Sequence, residues 1–311
     1  SSSQKMTNVT AVLEFRLLGF SSNPHVQILL FTLFLVIYIL TILGNVTIIS
    51  VVTLEPQLHS PMYKFIKNLS FLEIFYTTTV VPKMLANLVA KRKSISFSGC
   101  MAQLYCFVAL GAAECYLLAV MAYDRFLAVC QPLHYGVAMT PGSYIRLALG
   151  SWLTGVFTGL LPCLMVSRLN FCYPDLIDHF FCDISPLLKL SCSDTTVTEV
   201  VIFILSLLVL CSCFLLTLFS YLLIILSILK IPSASGKRTT FSTCSSHLTV
   251  VTIYYATMIS MYVRLTHNLS SELNKAVSVL YTVVTPLLNP VIYSLRNQAF
   301  KKALEKIVLR H

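Results

Sequence analysis

The sequence predicts an all-α membrane protein: a seven-transmembrane helix bundle with a short amphipathic C-terminal helix. Three observations predict it. Apolar residues make up 57% of the 311 residues, more than one soluble core of this size could hide. Charged residues are only 11%, against about 25% in a typical soluble domain. The apolar residues also gather into seven runs, each near the ~20 residues a helix needs to cross a bilayer. The same richness excludes disorder.

Taken in order, residues 1–25 are a polar N-terminal segment and residues 26–295 the transmembrane domain. Val26–Thr53, Val200–Leu229, Thr239–Val263 and Ala276–Leu295 hold no Asp, Glu, Lys or Arg, and Leu147–Ser167 makes a fifth such span. Asn68–Ala90 spans with Glu73 and Lys83, and Ser94–Tyr123 with Glu114. No run alternates with the period of two that a barrel strand requires, so helices remain as the way to satisfy the backbone in lipid. Arg168–Glu199 is a long polar loop between spans four and five. Neither an internal repeat nor a removable signal peptide is expected, because Ser1–Pro24 is polar and the first apolar run is too long for an h-region. Residues 296–311 form a cytoplasmic tail, where Arg296–Arg310 reads as a basic amphipathic helix with Phe300, Leu304, Ile307 and Val308 spaced to lie on lipid. Pro82, Pro162, Pro286 and Pro290 fall in or near spans, where proline bends a helix.

The net charge is +10, but the basic residues sit at span ends. Anchoring at lipid headgroups explains them better than nucleic acid, for which no basic stripe with spaced aromatics exists. The basic residues divide almost evenly between the two sides, and Lys91-Arg92-Lys93 opposes the positive-inside rule. Covalent chemistry orients the chain better. Asn8-Val9-Thr10 and Asn268-Leu269-Ser270 are glycosylation sequons. With seven spans they share one face with Cys100, Cys172, Cys182 and Cys192. Disulfides need an oxidising compartment, so that face, and the N-terminus, lie outside. Sequons at Asn45 and Asn68 fall within spans and stay unmodified. Four outer cysteines allow three pairings. Cys100–Cys182 with Cys172–Cys192 is the favoured set, the first pinning the loop over span three and the second folding the loop on itself. The other seven cysteines read as small apolar filler, and Cys211-Ser212-Cys213 lacks the nearby His that would make it a metal pair.

Several motifs then converge: Met121-Ala122-Tyr123-Asp124-Arg125 closing span three, Leu58-His59-Ser60-Pro61-Met62-Tyr63 opening span two, Phe241-Ser242-Thr243-Cys244-Ser245-Ser246-His247-Leu248 starting span six, and Pro286-Leu287-Leu288-Asn289-Pro290-Val291-Ile292-Tyr293 ending span seven. With them the chain resembles an odorant receptor of the rhodopsin-like G-protein-coupled class, in its tetrapod-type group, from about Glu14 to Lys302. It departs from the usual pattern at Lys64 and Lys67, which interrupt a neutral aromatic stretch, at Glu73 in place of Asp, and at Phe126 in place of Tyr.

The resemblance implies three sites. At the inner end, Arg125 cannot be deprotonated and is held at rest beside Asp124, with Tyr221, His247 and Tyr293 around it. In the middle, Glu73 and Glu114 are acids within spans, costly in lipid and therefore functional. They resemble the sodium pocket of the class, joined by Asn45 and Asn289, and would share a proton or hold Na⁺. At the outer end the family pattern gives a pocket of Leu104, Phe107, Val108, Gly111 and Ala112 from span three. It adds Leu205, Ser206 and Val209 from span five, Tyr255, Met258, Ile259 and Tyr262 from span six, and Val279 and Thr282 from span seven. No acid stands at Phe107 to pair an amine, and no Lys or Arg points clearly inward, Arg264 lying near the rim. The expected ligand is a small, mostly apolar, uncharged volatile bound at micromolar strength or weaker. The implied partners are that odorant, a heterotrimeric G protein of the stimulatory (olfactory) type that raises cyclic AMP, and membrane lipid. The implied location is the plasma membrane, in the cilia of olfactory neurons. No organic cofactor is expected, nor any metal beyond sodium.

Other classes lack their residues. An intramembrane metalloenzyme needs converging His and acidic ligands, yet of seven histidines only His247 falls within a span. A retinal receptor needs a lysine inside span seven, where Ala276–Leu295 has none. A transporter or channel needs a continuous polar path, for which Glu73 and Glu114 are too little. A receptor for an endogenous small molecule outside the olfactory system has the same sequence signature.

Overall fold

The computed structural model describes residues 12–172, 175–266 and 270–309, except the side chains at 243, 261–266 and 295–296. Seven long helical rods make the bundle: α1 (Pro24–Leu54), α2 (Pro61–Val89), α3 (Phe97–Cys130), α5 (Pro141–Ser167), α7 (Thr196–Leu229), α8 (Ala234–Thr266) and a composite rod of α9 (Ser271–Val279), a π turn (Leu280–Val284) and α10 (Thr285–Arg296). Short helices α4 (Pro132–Ala138) and α6 (Ile184–Leu190) lie between rods, and α11 (Gln298–Val308) follows the last. Among the described residues five rods are long and apolar enough to cross a membrane by composition alone; α2 and α8 match them in length but carry more polar residues.

Starts and stops follow local chemistry. Asn23 accepts from the His25 amide and Pro24 opens α1. Ser96 accepts from Gly99 N at 3.1 Å before α3, and Thr140 from Ser143 N at 3.2 Å before Pro141 of α5. Each satisfies an orphan donor of a first turn. The expected span Ser94–Tyr123 divides differently. Ser94–Ser96 is strand β2, and α3 continues past Tyr123 to Cys130. Its 34 residues reach about 51 Å at 1.5 Å per residue, well beyond a ~30 Å hydrocarbon layer.

α3 is central, packing on α2, α5, α7 and α8, while α1 packs on α2 and α10. The α3–α5 approach is closest where Gly155 and Gly159 face Ala109 and Ala113. Two small residues four apart on each helix let the backbones meet, as helices do in lipid. In the last rod Pro286 has no amide to donate, and the π turn before it absorbs the mismatch. Thr285 Oγ1 there donates to the Leu280 carbonyl at 2.9 Å.

One end of the bundle carries a small sheet. β1 (Glu14–Leu17) lies between β2, antiparallel with Phe15 opposite Ile95, and β3 (Leu176–Ile177), parallel with Leu17 beside Ile177. Its alternation, exposed Glu14 and Arg16 against buried Phe15 and Leu17, is a strand signal within the polar N-terminal segment, where no element is expected from composition. At the other end, Phe300 and Ala303 of α11 bury into the main core cluster, so Phe300 docks on protein rather than lipid. Tyr63 donates to Asn297 at 2.9 Å and Lys306 to Glu55 at 2.8 Å, holding α11 at both ends.

Candidate functional site

Both disulfides lie at the sheet end. Cys100–Cys182 (Cα–Cα 5.5 Å) ties the long loop to the top of α3, and Cys172–Cys192 (5.8 Å) closes the loop on itself. The Cys182 amide donates to Gln103 Oε1 at 2.9 Å, setting the loop against α3. Asp183 then accepts from Ile184 N at 2.8 Å and so caps α6. Tyr281 donates to Asp183 at 3.3 Å and to Ser278 at 3.0 Å, and Lys275 pairs with Asp178 at 2.8 Å. Loop and last rod are thereby joined. Burial pushes the Asp178 carboxyl up, but hydrogen bonds from Lys275 and Ser271 outweigh it and leave the group below its usual range. Asn8 and Asn268 lie outside the described residues.

Beneath this cap is a cavity of about 520 Å³, within the ~300–1,000 Å³ usual for small-molecule sites. Phe107, Val108, Gly111 and Ala112 of α3 line it, with Leu205, Ser206 and Val209 of α7 and Met258 of α8. The other residues of the expected pocket go elsewhere. Leu104 is buried in the sheet-end cluster. Tyr255 packs edge-on against Phe214, ring centroids 5.1 Å apart. Ile259 is 59% exposed and faces outward. Val279 packs partly buried on the cluster around Tyr76 and Phe107, and Thr282 donates to the Ser278 carbonyl at 2.7 Å. The side chains of Tyr262 and Arg264 are not described.

Beyond Tyr76, Thr158, Pro162, Val200 and Phe203, which the expected pocket also lacks, two contributions shape the cavity. Tyr254, not its neighbour, reaches the cavity, and its hydroxyl donates to the Gly111 carbonyl at 3.1 Å. Tyr254 and Met258 are four apart and share one helix face, so α8 is rotated by about one residue from the expected phase. The second contribution is α6, whose Ile184, Ser185 and Leu188 line the cavity together with buried Asp183 and exposed Lys189 and Glu199. The signal for it was present: Asp183 as N-cap followed by Pro186 and an apolar pair. The wall is otherwise apolar and aromatic, Phe107 contacting Tyr76 and Phe181 at 5.3 and 5.1 Å. Ser206 and Thr158 offer hydroxyls.

Deeper in the bundle lie the two acids. Glu73 and Glu114 are both buried, on the adjacent helices α2 and α3. Asn289 donates to Glu73. Glu73 Oε2, Glu114 Oε1 and Asn289 Oδ1 are buried oxygens with no hydrogen-bond partner in the protein. Hard oxygens of this kind suit a small hard cation. Asn45 stands apart from these contacts, its amide donating to the Thr41 carbonyl of its own helix at 2.9 Å.

At the end opposite the disulfides, Arg125 Nη2 and Nε donate to Asp124 Oδ2 at 2.8 and 3.2 Å. Asp124 Oδ1 accepts from the Tyr135 hydroxyl of α4 at 2.8 Å. The Tyr221 and His247 rings are 5.9 Å apart, and His247 Nδ1 lies 3.2 Å from the Tyr293 hydroxyl. The expected switch residues therefore form two groups, Asp124 with Arg125 on α3, and Tyr221, His247 and Tyr293 across α7, α8 and α10. Tyr135 was not expected in the first; burial, then the Asp124 charge, push its hydroxyl pKa up. Among the described residues no group of three His, Cys, Asp or Glu could hold a metal.

The family described as "Olfactory receptor" matches residues 34–311. The chain is 61% identical to human olfactory receptor 11L1, over 97% of this chain and 94% of that protein. It is 50% identical to human olfactory receptor 6N1, over 97% of each. To olfactory receptor 287 of Rattus norvegicus it is 52% identical, over 94% of each.

Proposed function

This chain belongs to the olfactory receptor family, and from that premise we propose that it binds a small, mostly apolar, uncharged volatile in the cavity under the disulfide-pinned loop and activates a stimulatory G protein that raises cyclic AMP. Membership makes it a multi-pass membrane receptor rather than a member of an enzyme family. The observation that carries the ligand reading is the cavity: about 520 Å³, walled by Phe107, Val108, Ala112, Val209 and Met258, with Ser206 and Thr158 as hydrogen-bond handles. Of its charged residues Lys189 and Glu199 are exposed, while Asp183 is buried and already engaged by Ile184 N and Tyr281. An uncharged ligand meets no buried charge that it must leave unpaired.

Signalling needs a bistable element that ligand and partner both bias. Arg125 held by Asp124, with Tyr135 behind it, is the resting arrangement. Freeing Arg125 lets its guanidinium reach the G protein. Tyr221, His247 and Tyr293 join α7, α8 and α10 at the same end, and Glu73, Glu114 and Asn289 lie between that end and the cavity, where Na⁺ or a shared proton favours rest. The disulfide end faces outward, with the N-terminus extracellular and Asn8 and Asn268 glycosylated. The location is the plasma membrane of olfactory cilia.

The test is a cyclic-AMP reporter in cells, screened with a diverse odorant panel. The chain should answer uncharged volatiles. Arg125→Ala should abolish the answer, and so should Gly111→Leu, since a Cβ at Gly111 meets nothing closer than Tyr76 Cε2 at 3.9 Å and a longer side chain fills open space. A primary amine or carboxylic acid as best agonist, or full response from Gly111→Leu, overturns the pocket reading.

A further inference from the structure

The cavity is roofed by the pinned loop and α6, and its side wall between α5 and α7 is apolar. Above it, Phe180, Phe181, Cys182 and Leu187 of the pinned loop are buried, so the loop is a packed plug. At its side, four residues line the cavity on facing helices: Thr158 and Pro162 of α5, Val200 and Phe203 of α7. Val200 and Phe203 are also 50% and 44% exposed and share one face of α7 with Ile204, Leu207 and Leu208, which are exposed too. Side chains that line a cavity and face the exterior at once leave a wall one side chain thick between the two. The surface framing it is apolar, with Phe157 and Leu161 exposed on α5 and Ile204 on α7.

The depth of this wall fits a bilayer. Val200 and Phe203 lie four and seven residues into α7, and Pro162 and Thr158 five and nine residues before the end of α5. At 1.5 Å per residue all four sit about 6–14 Å below the helix ends. Lys189 and Glu199 stand at the upper rim, where charged side chains meet the headgroup layer. We propose that ligands reach this cavity sideways from the hydrocarbon, through the gap between α5 and α7, which selects uncharged molecules that partition into lipid. The proposal deepens the reading of the cavity as the ligand site and rests on it. A charged molecule is excluded twice, by the cost of crossing hydrocarbon and by the apolar wall, while a lipid-soluble one is concentrated at the portal before it binds.

The test uses the full chain in phosphatidylcholine nanodiscs and the uncharged fluorescent probe N-phenyl-1-naphthylamine, with empty nanodiscs as background, followed by stopped flow. Thr158→Trp with Val200→Trp narrows the gap and should slow both association and release by about tenfold or more. Slower release is the discriminating sign, because a damaged site releases its ligand faster. Phe203→Ala widens the gap and should speed both rates. If neither variant moves the two rates together in these directions, lateral access is wrong. Gly111→Leu checks the site itself: if the probe binds it as it binds the unaltered chain, the cavity reading fails, whatever the portal does.

Discussion

The close approach of α3 and α5 makes a quantitative prediction for Gly155→Ala. A Cβ at Gly155 would lie 2.6 Å from the Ala109 carbonyl oxygen, 2.6 Å from Ala113 Cβ and 2.7 Å from Ala113 N. Ordinary contact begins at 3.4 Å, so one methyl group drives the helices apart by about 0.8 Å, and two of its three neighbours are backbone atoms that cannot rotate away. Overpacking of this kind costs about 1–3 kcal/mol, and alanine's helix preference over glycine returns at most about 1 kcal/mol. Gly150, on the same helix, has nothing within 4 Å of its would-be Cβ. Gly150→Ala therefore keeps the propensity gain without the clash. The two variants should differ by about 1–3 kcal/mol, with Gly155→Ala melting first. The single tryptophan, Trp152, lies on α5 between the two sites, so its fluorescence during thermal unfolding in micelles reports on the helix concerned. If the two variants melt together, the helices are not in close contact and the account of this interface is wrong.

Three further outcomes follow from the sites. Replacing Na⁺ by a large organic cation should lower the melting temperature, since a ligand of the folded state stabilises it by mass action. Glu114→Gln should abolish that dependence, and a variant as sodium-sensitive as the parent would place the cation elsewhere. Tyr135→Phe removes the hydroxyl that donates to Asp124 at 2.8 Å. A bond to a charged group is worth about 1.5–3 kcal/mol, so basal cyclic AMP should rise several-fold, and an unchanged basal level would detach Tyr135 from the resting lock. For the loop clamp, the Asp178 carboxyl is held below its usual range in the fold, so its contribution is present above about pH 4 and is lost as pH falls through the lower folded value. Lys275→Met should melt below the unaltered chain at neutral pH and converge with it in acid. A gap that persists in acid would mean Lys275 acts other than through Asp178.

Much of this was legible beforehand, and the exceptions share a cause. Composition and run length marked each long rod, and the pairing favoured among three for the four outer cysteines is the one found. β1 was missed because its four alternating residues sit inside a segment dominated by polar composition. α6 was missed because a seven-residue helix in a long loop has too short a period to stand out. Tyr254 and Tyr255 are both aromatic and adjacent, so only the packing of α8 on α3 could tell which one turns inward.

What the sequence determined by itself is the solvent and its consequences. So many apolar residues in runs of bilayer length leave helices as the backbone's means of satisfying its own hydrogen bonds in lipid. What only the tertiary structure decided is which way each helix turns. In water an apolar stripe against a polar face fixes a helix's rotation, but in lipid both faces are apolar and the stripe disappears. The rotation is then set by where small residues allow close approach, as Gly155 and Gly159 do against Ala109 and Ala113. It is set also by a few polar contacts such as Tyr254 to Gly111 and Glu73 to Asn289, and those are fixed only when the helices meet.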